Sequence, residues 1–323
     1  MSKPRKKREL QSQFLKELIV EVEFNSYSKS IPIIVVEGKL DSKVLGKIRI
    51  SNRVNLVSAN NILDRTAGKG FTDLEKRERR RLDNKEQVAE AVGFLCKEGY
   101  LALGIQDCDL DAIEHLFEFE SFESNPPGEN IVQTFPSRDI ETMIFSQLMN
   151  ENAFQEGYPK EFELCVSKAT KLAYLGIGLR IFNLNSRIDA LGLRRFSEKK
   201  KKDNFRNYVN LCDSFEDLFA EFLEFTSDKI NEESKNKLID VIMKTKSRLE
   251  SEDLHWSNIV RGHDFETFVA HYNKYPGLKF KDNQEALSNL ILAILQYEHL
   301  RKHRMFTTID SWREKMKIAE IFL

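Results

Sequence analysis

The stretch that decides the fold is Ile31-Pro-Ile-Ile-Val-Val36, closed by Glu37-Gly38 and followed by LDSKVLGKI from Leu40 to Ile48. A short, unbroken run of mostly β-branched apolar side chains reads as a strand covered on both faces, as in parallel sheets. Glu37-Gly38 ends that strand, and the residues after it carry helical spacing, entered near Asp41. Working outward, a second strand is expected at Val54–Ser58. A highly charged helix follows from about Asp73 to Cys96 and stops at Gly99. Tyr100–Ile105 is a third apolar run, closed by Gln106-Asp-Cys-Asp-Leu-Asp111, and Ile131–Phe135 is a fourth, leading through Arg138-Asp-Ile-Glu141 into a helix. Strands alternating with helices predict an α/β domain with a parallel sheet over residues 31–150.

On the N-terminal side, a basic head, MSKPRKKREL, runs into Leu10, Phe14, Leu18 and Val22. That spacing predicts an amphipathic helix within a basic segment 1–30. After residue 150 the texture is helical, with long stretches at Glu198–Phe225, Asn231–Leu249 and Gln284–His303. A mostly helical C-terminal domain, 151–323, is therefore expected.

The 323 residues and a hydrophobic fraction of 41% suffice for one large or two modest cores. A net charge of −1 means that the whole molecule does not attract polyanions, so local clusters must supply any such field. Cys96, Cys108, Cys165 and Cys212 are scattered, so neither a zinc ribbon nor a disulfide framework is readable. No apolar run suits a signal peptide or a bilayer span. A reduced, cytoplasmic protein without membrane association is the expectation.

Glu37, Asp107 and Asp139 each fall just past the carboxyl end of an expected strand, where open α/β sheets gather their ligands. Carboxylates that converge on one spot repel each other and need a cation; Mg²⁺ takes oxygen ligands, often one or two carboxylates plus water and substrate phosphate. Asp107 and Asp109 are two apart, so on an extended segment both project to the same side. One or two Mg²⁺ or Mn²⁺ ions there would polarise a phosphate and activate water. For Asp41 and Asp111, helix capping stands beside function as an alternative.

VVEGKLDSKVL (Val35 to Leu45) followed by LGIQDCDLD (Leu103 to Asp111) resembles the TOPRIM signature shared by topoisomerases, bacterial primases, small RNA-maturation nucleases and OLD nucleases. The resemblance implies a Rossmann-like parallel sheet, acid–base or metal work for Glu37, and Mg²⁺ binding by Asp107 and Asp109. Asp41 matches the acidic position that often follows the Glu, and Asp111 extends the acidic run. FPSRDIETMIF (Phe135 to Phe145) and RGHDFETF (Arg261 to Phe268) are similar to a stand-alone TOPRIM family with a helical C-terminal part. That family is found beside ATPases in bacterial anti-phage systems, including the effector of the PARIS system. Asp139 and Glu141 are then candidates to complete the site.

Thr66-Ala-Gly-Lys-Gly-Phe71 lacks the spacing of a Walker A loop, although Lys69 in a flexible loop could touch a phosphate. Lys76-Arg-Glu-Arg-Arg-Arg81, with Arg79, Arg80 and Arg81, and the run Lys199–Lys202 are the strongest basic clusters. Each reads as a phosphate-holding face or as a solvated helix face. His263-Asp264 forms an HD pair among histidines spaced by eight (His255, His263, His271), without the further ligands an HD-type phosphohydrolase needs. Phe215, Phe219 and Phe222 at helical spacing read as core.

The expected activity is that of a metal-dependent nuclease acting on tRNA or DNA. On the resemblance it would be the toxic effector of an abortive-infection defence system, restrained by a companion ATPase and able to pair with a second copy. A non-catalytic binding protein on a degenerate TOPRIM fold is the alternative from another class.

Overall fold

A computed structural model describes residues 3–25, 27–62, 84–109, 111–117, 128–149, 161–186, 192–272, 289 and 291–322. The chain divides into two compact units. One comprises Met1–Cys108, Asn125–Phe135 and Ile291–Leu323; the other comprises Asp109–Ser124 and Pro136–Leu290. These boundaries differ from the expected 31–150 and 151–323. The last strand's exit already belongs with the helices, and the C-terminal residues return to the sheet.

In the first unit, α1 (Lys3–Phe24) precedes β1 (Ile33–Val36), α2 (Lys39–Ile48), β2 (Asn55–Ser58), α3 (Asn84–Lys97), β3 (Ala102–Gln106) and β4 (Ile131–Gln133). The four strands form one parallel sheet in the order β2-β1-β3-β4. All four residues of β1 and all five of β3 are buried. Central strands of a parallel sheet covered on both faces carry such unbroken apolar runs. Each fully buried Val or Ile contributes roughly 1.5–3 kcal/mol. Phe14, Leu18 and Val22 of α1 form one core with Ile33 and Val35 of β1 and with Val88, Ala91, Val92 and Leu95 of α3. The helix expected near the N-terminus thus exists, and Phe14, Leu18 and Val22 of its stripe face the sheet's core.

The strands lie within two residues of the expected positions. β3 begins later, at Ala102, and extends to Gln106, and β4 is the short segment Ile131–Gln133. The residues 73–83 of the expected charged helix lie outside those described. The C-terminal return closes on the same unit: the Ile50 amide donates to the Ile321 carbonyl, Arg49 bridges Phe322, and Trp312 Nε1 donates to Asn130 Oδ1. The stretch Gln284–His303, read as helical in spacing, is interrupted in its described part. Gln296 is extended and caps the short helix Tyr297–Leu300, and His303 caps the next helix, Arg304–Lys315.

The second unit is helical: α4 (Ile140–Leu148), α5 (Phe162–Ser186), α6 (Leu193–Asp203), α7 (Phe205–Leu211), α8 (Phe215–Thr226), α9 (Glu232–Ser251) and α10 (Gly262–Tyr272). The stretch Glu198–Phe225, read as helical in spacing, spans parts of three helices. Asn204 accepts a hydrogen bond from the Asn207 amide and Ser214 from the Asp217 amide, so each starts a new helix as its N-cap. Phe215, Phe219 and Phe222 are buried as expected. The longest helices described in this unit, α5 and α9, cross at Gly178, where an added Cβ would come within 3.0 Å of the Ile242 Cα. Only a residue without a side chain permits that approach. No described helix is long and apolar enough to cross a membrane.

Candidate functional site

The strand order places a reversal between β1 and β3. From β1 the chain moves outward through α2 to β2, whereas from β3 it moves the other way to β4. Crossovers therefore diverge at the β1/β3 boundary, the switch point outside whose strand carboxyl ends open parallel sheets form their ligand crevice. Glu37 follows β1 and Asp107 follows β3. The structure brings them together: the Asp107 amide donates to Glu37 Oε1 at 3.0 Å. Glu37 is held from the other side through its own carbonyl, which accepts from the Asn60 amide beyond β2. The next amide, that of Cys108, donates to Thr134 Oγ1 at 2.9 Å, so the turn after β3 is fastened to the exit of β4.

Two further residues belong to this end of the sheet. Asp41 is buried, and its Oδ2 accepts from the Gly38 amide at 2.8 Å, so the N3 side chain satisfies the N-cap amide at the start of α2. Of the two alternatives read for Asp41, capping is the role this geometry displays. Lys85, in the first turn of α3, is a cation that sequence reasoning passed over. Its carbonyl accepts from Gln106 Nε2 at 2.7 Å, and its Nζ lies 3.4 Å from the Cys108 carbonyl oxygen. Nothing in the local sequence around Lys85 marks it, because its partners are about twenty residues away.

The expectation of an extended Asp-x-Asp needs correction. β3 ends at Gln106, and Asp109 sits at φ 51°, in the left-handed region, so the alternating geometry of a strand does not hold there. Asp and Asn tolerate that conformation better than most residues. Asp109 belongs to the helical unit, where its amide donates to the Arg138 carbonyl at 2.7 Å. Asp111 opens a short 3-10 helix, Asp111–Leu116.

Within the helical unit, Asp139 and Glu141 meet the RGHD segment. Asp139 is the N-cap of α4: Oδ1 accepts from the amide and the hydroxyl of Thr142, both at 2.8 Å, and Oδ2 accepts from the Gly262 amide at 2.8 Å. One carboxylate thus satisfies the first turns of both α4 and α10, whose positive dipole ends favour it. Gly262 is required there, since a Cβ would fall 2.3 Å from Glu141 Cβ and 2.9 Å from Asp139 Oδ1. Beside them Arg138 is buried and donates to the Ile259 carbonyl. Burial, followed by the charge of Arg261, lowers its pKa to about 10, against the raising influence of Asp139, Asp109 and Asp264. It therefore stays charged at neutral pH and balances the acidic residues around it.

The histidines take separate places. His255 caps the 3-10 turn Trp256–Asn258, accepting from the Ser257 amide. His263 Nδ1 lies 3.6 Å from Glu266 Oε2. Its pKa rises to about 9, first through Glu266 and then through the charges of Glu141 and Asp139, with partial desolvation by neighbouring protein atoms opposing although the side chain reaches solvent. An imidazolium is a poor metal ligand, which weighs against an HD-type metal centre. Of the basic residues, Lys69, Arg79, Arg80 and Arg81 lie outside the described residues. In the run Lys199–Lys202, Lys200 pairs with Glu221, Lys199 lies over the Phe225 ring, and Lys201 lies over the Tyr208 ring. Three of its four cations thus already serve the helical core.

The chain matches no family model, no curated protein and no solved structure in the three comparisons made. Among the described residues, no group of three or more His, Cys, Asp or Glu side chains is gathered to hold a metal ion. The donor chemistry at the β1/β3 crevice nevertheless fits a hard cation. Glu37 and Asp107 offer carboxylate oxygens, and Mg²⁺ completes its shell with water and substrate phosphate rather than with an all-protein cage.

Proposed function

We propose that this chain is a metal-dependent phosphodiesterase of the TOPRIM type, a nuclease acting on tRNA or DNA. The observation that carries the reading is the hydrogen bond from the Asp107 amide to the Glu37 carboxylate at the sheet's switch point. The two most characteristic residues of the TOPRIM resemblance lie seventy positions apart, and they meet where such sheets bind ligands. In this reading Glu37 and Asp107 hold Mg²⁺ or Mn²⁺. The metal, when bound, supplies Lewis-acid polarisation of a phosphate and a nucleophilic water. Glu37 positions or deprotonates that water, and the Cys108–Thr134 contact keeps the turn after β3 in place.

On the same resemblance, the protein is the effector of an anti-phage system and a companion ATPase restrains it. Co-purification with the product of a neighbouring gene tests that part. The nuclease reading is tested with purified protein and Mg²⁺ or Mn²⁺ against plasmid, single-stranded DNA and total tRNA. Metal-dependent cleavage is expected, and its loss in Asp107→Asn. Absence of cleavage and of Mn²⁺ binding by calorimetry would favour the second reading, a binding module on a TOPRIM-like sheet. That alternative draws on the left-handed Asp109 and on the absence of a gathered third ligand among the described residues.

A further inference from the structure

We propose that Lys85 is a phosphate-contacting residue of the β1/β3 crevice, binding a non-bridging oxygen of the phosphodiester substrate. The inference rests on the nuclease reading and assigns that site a residue no sequence motif marks.

The case begins with position. Lys85 lies in the first turn of α3, the crossover helix that delivers the chain into β3. Gln106, the last residue of β3 and itself buried, reaches back with Nε2 to the Lys85 carbonyl at 2.7 Å. That bond ties the start of α3 to the carboxyl end of β3, so Lys85 is carried by a fixed backbone. Its ammonium lies 3.4 Å from the carbonyl oxygen of Cys108, the residue that follows Asp107 in the turn after β3. Cys108 in turn is pinned by Thr134 and fully buried.

Charge gives the placement its meaning. A strand end with Glu37 and Asp107 repels a polyanionic substrate unless cations offset the carboxylates. A divalent metal offsets part of that charge, and an ammonium on the rim offsets more. A lysine is suited to this because its ammonium is a point charge with three donors on a flexible stem, able to leave a backbone carbonyl for a phosphate oxygen. The 3.4 Å contact with Cys108 is long for a charge-assisted bond, which settles near 2.7–2.9 Å. The half-buried stem limits where the ammonium can go, so the group it meets lies at the strand end.

The test uses the full chain, fluorescent single-stranded DNA and RNA oligonucleotides of equal length, and Ca²⁺ in place of Mg²⁺ to separate binding from cleavage. Anisotropy is measured across a range of salt for wild type, Lys85→Met, Lys85→Arg and Asp107→Asn. Lys85→Met should weaken binding about tenfold and lower the slope of log affinity against log salt by about 0.7, the value for one contact to a single strand. Lys85→Arg should restore the slope, while Asp107→Asn should lose the Ca²⁺ dependence and keep it. The DNA and RNA arms show which backbone the lysine meets. A slope unchanged in Lys85→Met overturns the proposal, also where that variant melts earlier, since a purely structural lysine would give that result. Wild type binding neither oligonucleotide in a Ca²⁺-dependent way would instead remove the nuclease reading, and the role of Lys85 with it.

Discussion

Glu37 in the sheet unit and Asp139 in the helical unit look alike in the sequence: each is an acidic residue just past an apolar strand and just before a helix. Their surroundings differ. Asp139 accepts from the amides of Thr142 and Gly262 and from the Thr142 hydroxyl, so its two oxygens hold two helices in place. Glu37 is met by the amide of Asp107, which carries its own carboxylate, at the point where the crossovers diverge. The lesson is that an acid after a strand is informative only through what it faces. Asp139 faces helix amides and is a cap, whereas Glu37 accepts from the backbone amide of a second acidic residue at the switch point, the placement on which the metal-site proposal draws. Asp41, facing the Gly38 amide, stands with Asp139 in this comparison.

The sharpest way to test that contrast is Glu37→Gln. The amide oxygen of Gln can still accept from Asp107, so the turn after β3 should keep its shape, and only the charge is lost. Metal-dependent cleavage should fall by at least about a thousandfold, equivalent to about 4 kcal/mol of transition-state stabilisation. Thermal melting should stay within a few degrees of wild type. Retained cleavage on a substrate that wild type cuts would move Glu37 to the structural side.

The converse change is Asp139→Ala. It removes an N-cap, worth about 0.5–2 kcal/mol, and leaves the Gly262 amide without its acceptor, which costs about 1–3 kcal/mol where buried. Chemical denaturation should therefore show a loss of about 1.5–5 kcal/mol, the two effects together. Cleavage per folded molecule should be unchanged. Cleavage abolished in a protein of wild-type stability would revive Asp139 as a ligand and break the comparison. Gly262→Ala probes the same junction from the other chain segment. Its new methyl meets Glu141 Cβ at 2.3 Å, backbone-proximal atoms that cannot swing aside. Overpacking of this kind costs about 1–3 kcal/mol, again read by denaturation.

How much of this was legible in the sequence depended on range. β1 could be read from Ile33-Ile-Val-Val36 because a strand buried on both faces needs no alternation to betray it. The cap at Asp139 was not read: its place after the fourth strand drew it into the candidate ligands, although an acid three residues before Thr142 also suits an N-cap. The helix breaks at Asn204 and Ser214 were hidden by apolar periodicity that continues across them, with Phe196 buried before the breaks and Tyr208, Val209 and Phe215 after. The close approach of Gly262 to Glu141, the reach of Lys85 to Cys108, and the left-handed turn at Asp109 are set by packing between distant segments. No local pattern encodes them. Glu37 and Asp107 were found because strand ends converge in any parallel sheet. The order of strands, which decides whether they become neighbours, was not in the pattern.

The smallest expected effect concerns pH and again separates the two units. His263 has its folded pKa raised to about 9, chiefly by Glu266 and further by Glu141 and Asp139. Its unfolded value is near 6.5. A group whose pKa is higher when folded contributes stability that is complete below the unfolded value and disappears as pH rises through the folded one. The contribution of His263 should thus be present in full below pH 6.5 and fade between about 6.5 and 9. The side chain is 76% exposed, so solvent screens the pair. Exposed ion pairs are worth about 0–1 kcal/mol, and a shift of that size moves melting by no more than about 4 °C in a unit this large. Melting temperatures of wild type and His263→Gln, taken from pH 6 to 9.5, should differ at the acid end and converge at the alkaline end. The metal-dependent cleavage of the two proteins should respond to pH alike across that range. A cleavage profile that shifted with His263 while melting did not would place this histidine in the chemistry rather than at the α4–α10 junction.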